Sequence, residues 1–164
     1  MVGSVESDAF AEFVAQVEPR LRRALVAAYG AEVGRDAAAD ALAWAWQHWD
    51  RVHTMTNPAG YLWRVGQTSV RRSTRRRVVE LSTDRVLELE VVGDSQTERA
   101  VEPALARALT ALSPQQRAAV VLVHGHAYSL ADAADVLGCS VSTLRNHVAR
   151  ALRRLHTALE GHDD

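Results

Sequence analysis

Residues 129–155, SLADAADVLGCSVSTLRNHVARALRRL, constrain this chain more than any other stretch, because they spell out two short helices and the turn between them. Ser129 is a good helix cap, with Asp132 three residues on to meet the orphan amides of a first turn. Leu130, Ala133, Ala134 and Leu137 then recur on one helical face, and the alanines in its middle let a second helix come close. Gly138 ends that helix where a left-handed backbone is expected. Ser140 caps the next helix, whose Val141, Leu144, Val148 and Leu155 form a buried stripe. Ser142, Arg145, Asn146 and Arg150 are left for the other side. Arginine forks match guanine, asparagine matches adenine and short hydroxyls reach phosphate, so this face suits a major groove. The segment reads as a helix-turn-helix.

Composition narrows the rest. With 164 residues, 48% of them hydrophobic, the chain has enough apolar surface for one ordinary core or two small ones. No apolar run is long enough to span a bilayer, and the opening MVGSVESDAFAEF has early acids in place of a basic-then-apolar signal, so a cytoplasmic protein without membrane insertion is expected. The single cysteine, Cys139, excludes an internal disulfide and any multi-cysteine zinc site. His124, His126 and His147 lack a completing carboxylate or cysteine, and no phosphate-cradling glycine loop or nucleophile–base pair occurs, so neither a metal, a cofactor nor an enzyme is expected.

The net charge of −1 conceals strong segregation. Every fixed positive side chain is arginine. Arg64, Arg71, Arg72, Arg75, Arg76 and Arg77 crowd one segment, and Arg145, Arg150, Arg153 and Arg154 crowd the last helix, with an acidic stretch between them. Two basic patches on one chain imply two nucleic-acid contacts.

Helical periodicity and caps predict an all-α protein of two small helical domains joined by a flexible linker. In the first, residues 1–77, helices are expected from Asp8 to Tyr29, from Arg35 to Asp50 after a break at Gly30 to Gly34, and from the Asn57-Pro58 cap onward. Residues 78–102 read as the acidic linker. The second domain, 103–164, is expected to be a four-helix unit: Pro103 to about Leu112, Pro114 to about His124 behind a Ser113-Pro114-Gln115-Gln116 capping box, and the helix-turn-helix pair.

Trp44, Trp46, Trp49, Tyr61 and Trp63 gather in a chain otherwise poor in aromatics. Leu42, Trp46 and Trp49 share a helical face and are expected to bury area, whereas Tyr61, Trp63 and Arg64 lead into an arginine-rich helix, as aromatic platforms do beside a channel for unpaired bases.

These segments together resemble the RNA polymerase sigma factors of the extracytoplasmic-function (ECF) type within the sigma-70 family. DAAADALAWAWQHW (36–49) is similar to the family's polymerase-docking helix, NPAGYLWRVGQTSVRRSTRRR (57–77) to its minus-ten helix, and residues 112–155 to its region 4, which reads the minus-thirty-five element. The resemblance implies that Asp36 and Asp40 face basic residues of the polymerase clamp, with Leu42 and Trp46 toward the core. It also implies that the loop Asp50 to Thr56 captures a flipped base, that Tyr61, Trp63 and Arg64 open the strands, and that Arg145, Asn146, His147 and Arg150 reach DNA. Core RNA polymerase, promoter DNA and an anti-sigma factor are the partners it implies. A helix-turn-helix regulator with a helical sensor domain is the alternative; it leaves the aromatic and arginine cluster at 61–77 without a purpose.

Overall fold

The structure, a computed structural model, describes residues 2–80 and 103–161, and all regular elements among them are helical. Helix α1 (Val2–Tyr29) is followed by α2 (Ala31–Gln47), a short α3 (Trp49–Val52) and α4 (Pro58–Glu80). The second block contains α5 (Pro103–Thr110), α6 (Pro114–Val120) running into a π-helical turn (Val121–Gly125), α7 (Leu130–Val136) and α8 (Val141–Glu160). None of the described helices is long and apolar enough to cross a membrane.

The caps act where the sequence puts them. Asn57 Oδ1 accepts from the Gly60 amide at 2.9 Å and Pro58 fills the first position of α4. Ser113 and Gln116 form the reciprocal capping box of α6. α4 continues to Glu80, past the boundary expected at residue 77. The rest of the acidic linker, 81–102, lies outside the described residues.

Two expectations for the first block are corrected. The break between the first helices is one residue, Gly30, whose φ of 86° suits glycine alone, and α2 begins at Ala31. Gly34 is helical; a Cβ there would lie 2.5 Å from the Val26 Cα, so this glycine serves the close crossing of α1 and α2. That crossing also decides the fate of the tryptophan. The inner face of α2 consists of Ala37, Ala38, Ala41 and Ala45, all buried, because only small side chains fit at such a distance. Trp46 is therefore excluded from the core and stands 51% exposed, leaning on Phe10 at a ring distance of 4.8 Å; Leu42 is half-buried.

One apolar core runs through both blocks. Val17, Leu21, Leu25, Val52, Leu62 and Trp63 from the first join Ala118, Leu122, Val136, Leu144 and Val148 from the second. A smaller cluster of Ala108, Leu109, Leu112, Val120, Ala151 and Leu155 holds α5 to α6 and α8.

The buried cation Arg117 sits between the blocks. Its guanidinium donates to the carbonyls of Leu109 (2.8 Å), Thr110 (3.2 Å), Leu112 (2.8 Å) and, across the chain, Ala28 (2.6 Å). These acceptors are orphaned carbonyls at and just beyond the C-terminal ends of α5 and α1, where a positive charge also complements the helix dipole. Burial pulls the Arg117 pKa below its usual value.

Candidate nucleic-acid interface

The turn between α7 and α8 is built from local hydrogen bonds. Ser129 Oγ accepts from the Asp132 amide at 3.0 Å, Gly138 takes φ 60°, and Ser140 Oγ accepts from the Thr143 amide at 3.1 Å. Leu144, Val148, Ala151 and Leu155 bury the inner stripe of α8, with Val141 half-buried at its start. Ser142, Thr143, Arg145, Asn146 and Arg150 stand exposed on the outer face. Their side chains thus form a short polar and cationic surface on a rigid helix, the geometry that base-edge contacts require.

His147 departs from that group. It is half-buried in a cavity of about 180 Å³ shared with Trp63, Arg64, Gln67, Gln115, Leu137 and Cys139, so it faces the first block. Burial lowers its pKa from the ordinary 6.5, and the nearby Arg150 charge lowers it further. Arg64 of α4 also lines the cavity as a fixed cation, and the Cys139 thiol, pushed up by burial, stays protonated. The folded chain therefore protonates His147 less readily than the unfolded chain does. The stability this contributes is present above about pH 6.5 and is lost as pH falls through the depressed folded value. His147→Gln should flatten the fall in unfolding free energy between about pH 7 and pH 5, measured by denaturant titration; an unchanged slope would rule out this histidine as a source of acid sensitivity.

The second surface lies between α2 and α4. An open groove of about 550 Å³ is lined by Trp44 and Tyr61 at one end and by Arg64, Arg72 and Arg76 along α4, with Thr68 among them. Positions 64, 68, 72 and 76 fall on one helical stripe, so three guanidiniums follow the groove in a row. Arg71 and Arg75 are exposed on the neighbouring stripe. Tyr61 is half-buried and 5.3 Å from Trp44, whose ring stacks on His48 at 4.1 Å. Trp44 was legible only as one of several aromatics; its place beside Tyr61 comes from the packing of α2 on α4.

Trp63 does not join this surface. At 2% exposure it belongs to the core, 6.4 Å from the Tyr29 ring, so the stacking role expected for it is not available in this arrangement. The expected base-capture loop is partly helical, since α3 occupies Trp49–Val52 and leaves the connection 53–57. Asp36 and Asp40 are exposed on the outward face of α2, where Asp40 accepts from Ser69 Oγ and so ties α2 to α4.

A helix-turn-helix with an exposed cationic helix stands beside a basic and aromatic groove, and every regular element among the described residues is helical, the architecture of a DNA-binding helical protein. Residues 103–155 match the family description "Sigma-70, region 4". The RNA polymerase sigma-E factor of Streptomyces avermitilis is 32% identical over 130 residues, covering 79% of this chain and 72% of that one. The ECF RNA polymerase sigma factor SigM of Mycobacterium tuberculosis is 46% identical over 61 residues, 37% of this chain and 30% of its own. Among solved structures, the fold is similar to that of the sigma factor RpoE of Bartonella quintana, crystallised with the anti-sigma factor NepR. The TM-score is 0.67 at 24% identity, covering 93% of this chain and 97% of that one. The chain belongs to the ECF RNA polymerase sigma factors of the sigma-70 family. Its function is that of a promoter-specificity subunit directing transcription initiation, which sets aside the one-component regulator.

Proposed function

We propose that the two surfaces divide promoter recognition between them. Residues 103–164 read the minus-thirty-five element through Ser142, Thr143, Arg145, Asn146 and Arg150. Residues 1–77 dock on core polymerase and read the minus-ten element through the α2/α4 groove, with Tyr61 and Arg64 at its aromatic end and Arg71, Arg72, Arg75 and Arg76 on the phosphates. The observation that carries this reading is the row Arg64, Arg72, Arg76 running away from the Trp44–Tyr61 pair, a backbone track ending at a stacking platform. The acidic stretch 78–102 connects the two units. The protein contributes binding and strand opening, and the polymerase supplies the chemistry. It works in the cytoplasm under the control of an anti-sigma partner.

Docking on polymerase falls to the outward face of α2. Asp36 and Asp40 supply charge, and Trp46, exposed at the end of that helix, supplies apolar area. Asp36→Asn together with Asp40→Asn should weaken core binding about three- to fivefold at low salt and have less effect at high salt, because exposed charges chiefly steer association. The asparagine at position 40 can still accept from Ser69, so the tie between helices survives. Core affinity of the double variant that matched the wild type at low salt would count against this face. A pull-down with core polymerase followed by run-off transcription tests the whole reading: binding with initiation supports it, and DNA binding without polymerase binding rejects it.

A further inference from the structure

The cavity of about 180 Å³ that holds His147 has a one-sided lining. Trp63 and Leu137 give it apolar walls. Each of the other lining side chains can donate a hydrogen bond: the Arg64 guanidinium, the Gln67 and Gln115 amides, the Cys139 thiol and the His147 ring. No carboxylate is among the described residues that line it. These donors come from α4, α6, the turn before α8 and α8 itself, so four parts of the chain converge on one space.

Little of this donor capacity is used inside the protein. Among the described residues no side-chain hydrogen bond engages the His147 ring or the Gln115 amide. Exposed Arg64 makes one long contact, from Nη2 to the Gly138 carbonyl at 3.3 Å, and Gln67 Nε2 reaches the Tyr29 hydroxyl at 3.4 Å. Both lie beyond the usual range for such bonds. Close packing beside the cavity holds its walls in place, since a Cβ added at Gly60 would lie 2.6 Å from the Gly138 Cα and the two backbones meet directly. Donors set in advance lose less on binding than donors that must be ordered.

The charges around His147 point the same way. It meets the Arg64 guanidinium from α4 and Arg150 on its own helix, while the turn brings the protonated Cys139 thiol, α6 the uncharged Gln115 and the end of α7 the apolar Leu137. Burial and the Arg150 charge pull the His147 pKa below its ordinary value. A negative group beside the ring reverses that field.

We infer that this cavity binds a small oxyanion, the phosphate or carboxylate group of a metabolite, held by Arg64, His147 and the two glutamine amides. Its volume equals that of roughly six waters at about 30 Å³ each, room for such a group with a few carbon atoms against Trp63 and Leu137. The Arg64 fork matches either oxyanion with two parallel hydrogen bonds. His147 gains its charge as the ligand arrives, so ligand and proton enter together. Affinity is therefore lowest above the His147 pKa of the complex and rises as pH falls toward that of the free protein. The same Arg64 lines the α2/α4 groove, which connects the ligand to the minus-ten surface; that connection rests on the reading of α4 above, whereas the site itself does not.

Sulfate is the first probe, because its charge is constant between about pH 5 and pH 8 and His147 is then the titrating partner. Sulfate also strengthens folding in general, so a melting temperature does not report the site. The readout is the His147 imidazole NMR signal of the full chain without DNA, identified by its loss in His147→Gln and followed against sulfate at constant ionic strength. A saturable shift of roughly millimolar affinity is expected. The His147 pKa should stand about one unit higher in the complex, and affinity should gain about tenfold between pH 8 and pH 5, the same unit seen from the ligand's side. His147→Gln, followed through the Gln115 side-chain amide signal, should keep the weaker binding of high pH and lose the pH dependence. Gln115→Glu gives the cavity its own carboxylate at the second position of α6, where negative charge suits the free amides of the first turn. That variant should show the raised His147 pKa without sulfate and bind sulfate at least about tenfold more weakly. Inorganic phosphate and acetate, titrated in the same way, separate the two sources, since the tighter of them names the group. A His147 signal that only drifts linearly with sulfate overturns the site. So does an affinity equal at both pH values, or wild-type sulfate binding by Gln115→Glu.

Discussion

Arg117→Ala should lower the unfolding free energy by about 3 kcal/mol or more, a large effect for a residue that touches neither DNA nor polymerase in the reading above. Arg117 is 8% exposed, and its guanidinium donates to four carbonyls on three parts of the chain: Leu109 and Thr110 of α5, Leu112 beyond it and Ala28 near the end of α1. Each hydrogen bond from a charged donor contributes about 1.5–3 kcal/mol, and a buried acceptor left unsatisfied costs about 1–3 kcal/mol. The terms do not add fully, because water can reach the less enclosed Thr110 carbonyl. Arg117→Lys should recover only part of the loss, since one ammonium cannot span the planar fork that meets all four oxygens. Denaturant titration of both variants reads the difference. A loss below about 1 kcal/mol for Arg117→Ala would mean that the helix ends find other partners and that the cation is not what joins the blocks.

Arg117 also marks the boundary of what the sequence discloses. Elements whose definition is local were legible: the serine caps at 129 and 140, Gly138 between them, Asn57-Pro58 ahead of α4 and the capping box at Ser113 each specify their own backbone geometry within four residues. So was the outer face of α8, because the buried positions of one amphipathic helix determine the exposed ones. What depends on a second helix was not legible. Gly34 looks like a turn residue until Val26 is found against it, and Trp46 looks like core until α2 turns out to meet α1 through alanines. Trp63 and His147 were assigned to DNA by their neighbours in sequence, whereas packing turns one into the core and the other toward α4. The π-helical turn Val121–Gly125 and the short α3 have no periodic signature at all. Arg117 sits among arginines in a charge-rich chain, and nothing local distinguishes a buried cap from a solvated cation. Gly60 and Gly138, far apart in sequence, acquire their shared meaning only when the blocks are docked.

The two basic surfaces should fail in different ways when an arginine is removed, and the difference tests the division of labour directly. Arg145 is exposed on α8 three residues before the buried Val148 of the inner stripe, beside Asn146 and within the first turns after the Ser140 cap. A recognition helix presents base-reading side chains at that end. A bidentate guanidinium on guanine is worth about 1–3 kcal/mol of discrimination, so Arg145→Ala should cost about tenfold or more on the preferred duplex and little on a sequence altered at the contacted base. Arg75 and Arg76 lie near the far end of α4, exposed and remote from the Trp44–Tyr61 pair. Arg75→Ala or Arg76→Ala should weaken binding for every sequence and reduce the salt slope by about one, the signature of a lost phosphate contact. The measurement is affinity of the polymerase-bound protein for a panel of promoter duplexes at two or more salt concentrations. If Arg145→Ala weakens all duplexes equally and flattens the salt dependence, Arg145 holds phosphate, and the base-reading register of α8 shifts to Ser142, Asn146 and Arg150.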